Sequence, residues 1–313
     1  MKLVFFGSPA FALPALKLLN VDHKIDLVVT QPDRPKGRGK KTKPTPVKKW
    51  CLENELPVIS PRAIRTSGFA EKLESCDTDY FVVVAYGRIL TKKLLSIPQS
   101  GCLNIHPSAL PAYRGPAPVN WALINNEAQI GLSIMEMNDK MDAGPIVRQK
   151  FFPVSTVDNA GSLLEKMALK GAGLLNEVLF EEEKSGKKLK RTPQNESKAT
   201  YAPFLDTKMA EIDWNQSAQS ICGIVRGLDP RPGAFTFYHG KRIKLFSPSL
   251  RDFSGKPGEI AGQDQYGLIV NCEKQSLSFG EIQLPGKRRM KSQDVLRGNP
   301  IPSGTILGAS PES

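Results

Sequence analysis

The sequence predicts an α/β protein in which a Rossmann-like, mainly parallel sheet domain precedes a small C-terminal, OB-like β-barrel domain. In the first part of the chain, short apolar runs rich in β-branched residues alternate with helical patterns. This alternation is typical of strands that are covered on both faces of a parallel sheet. A polar, Lys-rich segment without apolar periodicity follows. Beyond it, strand-like pieces separated by Gly and Pro turns are typical of a small antiparallel barrel.

The apolar runs and the helical patterns between them give the order of the elements. The predicted strands are residues 3–7, 26–30, 57–59, 80–87 and 102–106. The predicted helices lie at 11–19, 47–55, near 69–73, at about 116–126, near 158–184 and at 215–227. We therefore predict a parallel-sheet domain at 1–186, a linker at 187–205 and a barrel-like domain at 206–313.

The composition excludes several classes of protein. The chain has 313 residues, of which 40% are hydrophobic and 24% charged, as in soluble globular proteins. No apolar run reaches the roughly 18 to 20 residues that a membrane helix needs. The five Cys residues are scattered and form no C-x-x-C pair, so neither a disulfide framework nor a zinc site is indicated. We expect reduced thiols, a cytoplasmic location and no metal.

Positive charge is concentrated in two segments. The formal net charge is +12, and residues 33–49 contain eight Lys or Arg against one Asp. Residues 184–198 contain six Lys or Arg against one Glu. A single run of this kind is typical of a solvated loop, but two runs in a basic chain favour a polyanionic ligand such as nucleic acid.

Two polar residues stand near the end of the strand predicted at 102–106. Side chains at Asn104 and His106 point to one face of a strand, and Pro107 ends the ladder because it lacks an N–H donor. Ligands of parallel sheets bind beyond the carboxyl ends of the strands. An amide that stabilises an oxyanion beside an imidazole that moves a proton suits acyl transfer. For this pair alone, a satisfied buried Asn beside a packed His is the alternative.

Residues 104–115 read NIHPSALPAYRG, which closely resembles the signature of the folate-dependent formyltransferases. DKMDAGPI at 139–146 and VVAYGRIL at 83–90 resemble two further elements of that family. The resemblance implies that Asn104, His106 and Asp142 are catalytic and that 10-formyltetrahydrofolate donates the formyl group. It also implies a folate pocket formed by Ser108, Ala109, Leu110, Pro111, Arg88, Ile89 and Leu90.

The basic loop TQPDRPKGRGKK at 30–41 and the C-terminal stretches RGLDPRPGAFTF, PGEI and LPGKRRM resemble members of the family that formylate methionyl initiator tRNA. This resemblance implies that Arg38, Lys40 and Lys41 reach the acceptor stem, and we expect a monomer. Phe204 and Thr207 depart from the family, because relatives often carry Lys at these positions.

Two alternatives stay open. A family member that formylates a small amine, such as a nucleotide sugar or glycinamide ribonucleotide, would not need the basic loop or the basic tail. A nucleic-acid-binding protein that has kept the fold but lost catalysis is the other alternative. The intact Asn104, His106 and Asp142 argue against it.

Overall fold

The structure, a computed structural model, describes residues 1–35 and 42–308. Three of the predicted tRNA contacts, Arg38, Lys40 and Lys41, lie outside the described residues. The chain divides into two units. Unit 1 contains Met1–Gly115, Ile130–Phe152 and Leu164–Tyr201, and unit 2 contains Pro116–Gln129, Pro153–Leu163 and the chain from Ala202 onward. The domain limits at 186 and 205 stay predictions.

Helices and strands alternate from the N-terminus, as the apolar runs predict. The strands are β1 (Lys2–Gly7), β2 (Lys24–Val29), β3 (Arg34–Pro35), β4 (Thr42–Lys43), β5 (Val58–Ile59), β6 (Tyr80–Val84), β7 (Gly101–His106), β8 (Gln129–Glu136) and β9 (Ile146–Pro153). The helices are α1 (Leu13–Asp22), α2 (Pro46–Glu53), α3 (Ser67–Glu74), α4 (Lys92–Leu95), α5 (Pro118–Ile124) and α6 (Ala160–Ser185).

The main sheet is mostly parallel. In the described residues its order is β5-β2-β1-β6-β7-β8-β9. Strands β5, β2, β1, β6 and β7 pair in parallel, and β8 pairs antiparallel with β7. Helical crossovers join the parallel strands, because such strands cannot be connected by a tight turn. The predicted α/β class is therefore confirmed.

Successive residues of the central strands enter two different cores. In β1, Leu3 and Phe5 pack with residues of α1 and α6, whereas Val4 and Phe6 pack with residues of α3. All four side chains are fully buried, and burial of a large apolar side chain contributes roughly 1.5–3 kcal/mol. Because both faces are covered, these strands read as unbroken apolar runs rather than as alternating patterns.

One strand is shorter than its apolar run. The run at 80–87 predicts a strand of that length, but β6 ends at Val84. Ala85 and Gly87 have φ angles of 48° and 78°, in the left-handed region that strands do not use. The residues after Val84 therefore form a turn at the carboxyl end of the strand.

Unit 2 contains an antiparallel sheet with its own core. From Ala202 onward its helices and strands are α7 (Ala218–Leu228), β10 (Phe235–Tyr238), β11 (Lys241–Arg251), β12 (Ile260–Gln263), β13 (Leu268–Asn271), β14 (Ser276–Gln283), β15 (Met290–Lys291) and α8 (Ser292–Gly298). In the described residues the strand order is β10-β11-β14-β13-β12, with β15 on β14, and the recorded pairings are antiparallel. Trp214, Val225 and Phe279 belong to the core of this unit. This antiparallel sheet corresponds to the predicted C-terminal barrel.

None of the described helices is both long enough and apolar enough to span a membrane.

Candidate active site

Strand β7 places two polar residues on one face of the parallel sheet. Leu103 and Ile105 belong to the core that contains α1 and α6, whereas Cys102 belongs to the opposite core. Because side chains alternate along a strand, Asn104 and His106 share the face of Cys102. Asn104 is half buried, and His106 is only 5% exposed.

The contacts of His106 distinguish its two ring nitrogens. Nε2 lies 3.0 Å from the carbonyl oxygen of Tyr113. Since a carbonyl oxygen only accepts hydrogen bonds, Nε2 carries the hydrogen and donates it. Nδ1 lies 3.8 Å from Oδ2 of Asp142. In the neutral imidazole, Nδ1 is therefore the nitrogen with a free lone pair, and a proton gained there would face a carboxylate.

The loop before Gly115 holds an unusual backbone conformation. Tyr113 has a φ of 59°, a conformation that costs a non-glycine residue about 1–3 kcal/mol and that is enriched at functional sites. Hydrogen bonds from the backbone N–H of Tyr113 to Oγ1 of Thr200 (2.9 Å) and from that of Arg114 to the carbonyl oxygen of Thr200 (2.8 Å) fix this loop. The conformation directs the Tyr113 carbonyl oxygen to His106.

Asp142 is connected to the same loop. Its Oδ2 accepts a hydrogen bond from the backbone N–H of Gly115 at 2.8 Å, and its side chain is 16% exposed. Asp142 itself has a φ of 49°, a conformation that Asp adopts more readily than most residues. The structure thus brings His106 and Asp142 together, although they lie in distant parts of the chain.

A further segment, part of the predicted linker, also contributes to this region. Gln194 donates hydrogen bonds to the carbonyl oxygens of Asp142 (2.9 Å) and Gly144 (2.7 Å). Its Oε1 accepts from Nε (3.1 Å) and Nη2 (2.8 Å) of Arg114. Arg114 forms two hydrogen bonds with the carboxylate of Glu196, at 2.9 and 2.8 Å, and these raise its pKa. Sequence reasoning missed Gln194, since nothing in a polar stretch marks one amide as bridging two loops.

Residues of β8 and β9 anchor the loop at 108–111, which the family resemblance predicts to line the folate pocket. Ser133 Oγ is buried, donates to the carbonyl oxygen of Ser108 at 2.7 Å, and accepts from the N–H of Leu110 at 3.2 Å. Gln149 donates to Ser133 Oγ at 2.8 Å and to the Leu110 carbonyl oxygen at 3.1 Å. The peptide bond between Leu110 and Pro111 is cis. The neighbouring strands hold the loop through its backbone, and within the loop the Ser108 hydroxyl donates to the carbonyl oxygen of Ala112 at 2.7 Å.

Gly131 allows β8 to approach this loop closely. A Cβ atom at position 131 would lie 2.3 Å from the backbone nitrogen of Ala109 and 2.4 Å from its Cα. No residue with a side chain fits there unless the loop moves. Neither Ser133 nor Gly131 could be recognised as a site residue from the sequence, because both contacts join distant parts of the chain.

The three residues predicted in the loop after β6 differ in their surroundings. Arg88 donates to the carbonyl oxygens of Pro61 and Arg62, each at 3.1 Å. Leu90 is buried in the core that contains α3, whereas Ile89 is 70% exposed. Ile89 is therefore the side chain of the three that is open to a ligand.

An ion pair links α4, the helix that follows this loop, to the loop that carries Asp142. Lys92 Nζ lies 3.0 Å from Oδ2 of Asp139, and this contact lowers the pKa of Asp139. Met141, next to Asp142, is 57% exposed. The described residues contain no group of three or more His, Cys, Asp or Glu that could hold a metal ion.

Comparisons with known proteins show the family to which the chain belongs. The profile of the family described as Formyl transferase matches residues 1–179, and that of the Formyl transferase C-terminal domain matches residues 205–300. The chain is 39% identical to the methionyl-tRNA formyltransferase of Ruminiclostridium cellulolyticum, over 98% of this chain and 100% of the relative. It is 42% identical to that of Pelobacter propionicus, over 98% of this chain and 96% of the relative.

Solved structures share the fold at lower identity. HypX from Aquifex aeolicus, in complex with tetrahydrofolic acid, has a TM-score of 0.63 at 18% identity, covering 99% of this chain and 51% of HypX. The sugar 3N-formyl transferase WlaRD, solved in the presence of dTDP and 5-N-formyl-THF, has a TM-score of 0.67 at 17% identity, covering 92% of this chain and 99% of WlaRD. At these identities the likeness concerns the fold. On the profile matches and the full-length relatives, the chain belongs to the formyl transferase family, and within it to the methionyl-tRNA formyltransferases.

Proposed function

We propose that this chain transfers the formyl group of 10-formyltetrahydrofolate to the free α-amine of methionine esterified to initiator tRNA. The observation that carries the proposal is the identity of about 40% to methionyl-tRNA formyltransferases over 98% of the chain. The folate supplies the formyl group when bound. The chain supplies binding, orientation and control of proton transfer.

In the proposed reaction, the methionine nitrogen forms a bond to the formyl carbon while the bond from that carbon to the folate nitrogen breaks. Asn104 donates its amide hydrogens to the formyl oxygen as negative charge develops on it. Groups that are already oriented toward a developing oxyanion lower the barrier without reorganising during the reaction. The place of Asn104 on a strand of the central sheet supports this role, because the strand holds its backbone rigidly.

His106 and Asp142 control the proton that the attacking amine loses and the folate nitrogen gains. The hydrogen bond from Nε2 to the Tyr113 carbonyl oxygen leaves Nδ1 to gain and release a proton. Asp142 stabilises positive charge at Nδ1 from 3.8 Å. This distance is too long for a direct hydrogen bond, so a substrate group or a small movement on binding would bridge the two side chains.

The proposed contacts with tRNA are inferred from the positive charge of the chain. Arg38, Lys40 and Lys41 are proposed to contact the acceptor stem, and the basic C-terminal part of the chain is proposed to contact phosphates without reading sequence. We also propose that the protein acts as a monomer in the cytoplasm, where initiator tRNA is charged and used.

The test offers labelled 10-formyltetrahydrofolate with charged initiator tRNA, charged elongator tRNA, or small amines such as a nucleotide sugar. We expect formylation of the initiator tRNA at a rate far above the other acceptors. Preferred formylation of a small amine would replace the proposal with the small-amine alternative. Formylation of no acceptor by a folded protein would contradict transfer altogether.

A salt titration tests the tRNA contacts separately. We expect the logarithm of the tRNA affinity to fall linearly with the logarithm of salt concentration. Replacing Arg38, Lys40 or Lys41 by Ala should reduce the slope by about 1 per phosphate contact removed, while KM for the folate stays unchanged. An unchanged slope in all three variants would exclude these residues as phosphate contacts.

A further inference from the structure

Gln194 lies where three separate segments of unit 1 meet. Its Nε2 donates to the carbonyl oxygens of Asp142 at 2.9 Å and Gly144 at 2.7 Å. Its Oε1 accepts from two nitrogens of Arg114. The residue after Arg114 is Gly115, whose N–H donates to the Asp142 carboxylate at 2.8 Å. Gln194 is thus connected to both the backbone and the carboxylate of Asp142.

These contacts require an amide at position 194. Both donor hydrogens of the side chain and its acceptor oxygen are used, and a Glu would point oxygen lone pairs at two carbonyl oxygens. An Asn is one methylene shorter and could not reach all the partners. The side chain of Arg114 is only 3% exposed, so loss of its partner at 194 leaves part of a buried charged group unsatisfied.

The backbone of Asp142 depends on outside support. Its φ of 49° lies in a sparsely populated region for a non-glycine residue, and such conformations persist when the surroundings determine them. The hydrogen bond from Gln194 to the Asp142 carbonyl oxygen supplies such support from a different part of the chain.

We propose that Gln194, acting with Arg114, is a positioning residue that holds the Asp142 carboxylate beside Nδ1 of His106. It touches neither substrate in this proposal and acts only through Asp142. The segment at 192–201 is then part of the catalytic apparatus as well as a connection along the chain. This inference rests on the proposed function, because it assigns Gln194 a part in that reaction.

The test is a double-mutant cycle between positions 194 and 142. Gln194→Ala should lower kcat about 10- to 100-fold, since a displacement of about 1 Å costs roughly that much in a positioned site. KM for folate and for tRNA should stay within about 3-fold. In a background of Asp142→Asn, Gln194→Ala should change kcat less than about 2-fold, because the carboxylate it positions has been removed.

Two variants complete the design. Gln99→Ala removes an exposed amide that lies outside the segments 113–115, 142–144 and 192–201 and whose Nε2 donates to Oδ1 of Asp77 at 2.8 Å, and its kcat should equal that of the parent. Gln194→Glu keeps size and hydrogen-bonding to Arg114 but loses both donors, so its kcat should fall as in Gln194→Ala. Circular dichroism and thermal unfolding confirm that each variant is folded.

The outcomes separate this inference from the proposed function. If the parent protein fails to formylate tRNA, the proposed function fails. If the parent is active and Gln194→Ala lowers kcat by the same factor in the parent and in the Asp142→Asn background, Gln194 does not act through Asp142 and the inference is wrong. A parent-like kcat in Gln194→Ala overturns it equally.

Discussion

The Nδ1 atom of His106 lies 3.8 Å from the Oδ2 atom of Asp142, and each partner is held by the same short loop. His106 donates to the carbonyl oxygen of Tyr113, while Asp142 accepts from the N–H of Gly115. The loop thereby sets the distance between imidazole and carboxylate. Because His106 and Asp142 lie far apart in the chain, the distance between them depends on this loop rather than on their spacing in the sequence.

Replacing Asp142 by Asn tests the need for its charge. The amide oxygen of Asn keeps the hydrogen bond from Gly115, but the negative charge facing His106 disappears. We expect kcat to fall about 100- to 10,000-fold, as when a group that takes part in proton transfer is removed. Steady-state kinetics with both substrates measures this, and kcat within about 3-fold of the parent would remove Asp142 from the mechanism.

Replacing Asn104 by Ala tests the proposed oxyanion contact. We expect kcat to fall about 100- to 1000-fold with little change in either KM, because the contact is strongest when charge develops on the formyl oxygen. Asn104→Asp is the matched variant, since it keeps the shape but has no donor and adds a repelling charge. Activity retained in Asn104→Asp would show that the amide hydrogens are not required.

Replacing Gly131 by Ala tests the anchoring of the loop at 108–111, which the family resemblance predicts to line the folate pocket. The added Cβ would lie 2.3 Å from the Ala109 nitrogen, so the loop at 108–111 must shift. We expect destabilisation of about 1–3 kcal/mol and a raised KM for the folate. The control is Gly173→Ala in α6, where a Cβ meets nothing within 4 Å, and the helix should gain up to about 1 kcal/mol.

Equilibrium unfolding in urea compares the two variants, and activity assays give their KM values. A Gly131→Ala protein with the stability and folate KM of the parent would show that the loop position is not fixed by this contact.

His23 should make the stability of the protein fall in mild acid. Its imidazole is buried, and burial lowers its pKa from 6.5. The charged groups around it are the amino group of Met1 at 3.5 Å, Glu183 at 3.9 Å, and Asp22, which accepts from Asn176 at 2.7 Å. The Met1 amino group adds to the lowering of the pKa, whereas Glu183 and Asp22 oppose it.

Because the folded pKa lies below the unfolded one, the unfolded chain binds the proton more readily. The neutral imidazole contributes fully to the free energy of unfolding when the pH is above the pKa of His23 in the unfolded chain. This contribution is lost as the pH falls through the pKa of His23 in the folded protein, with a limiting slope of about 1.4 kcal/mol per pH unit. Urea unfolding from about pH 7.5 to about pH 5 in the parent and in His23→Gln measures the effect. An equal pH dependence in both proteins would exclude His23 as the cause.

The sequence predicts most of the fold because burial patterns are local. Continuous apolar runs such as 3–7 and 102–106 indicate strands covered on both faces, and β1 and β7 occupy those positions. The helix predicted near 158–184 corresponds to α6. Where prediction and structure differ, as at the end of β6, a left-handed backbone conformation ends the strand inside an apolar run. Apolar periodicity carries no information on such a conformation.

By itself, the sequence determined the fold class, the family resemblance, and the shared face of Asn104 and His106, because each follows from residue types and their order along the chain. Only the tertiary structure decided that Asp142 faces His106, that Gly131 gives the loop at 108–111 its space, and that Gln194 joins two loops. The physical reason is the distance along the chain over which each interaction acts. Hydrophobic patterning acts along one element, whereas hydrogen bonds and steric contacts between distant segments exist only after the cores have formed.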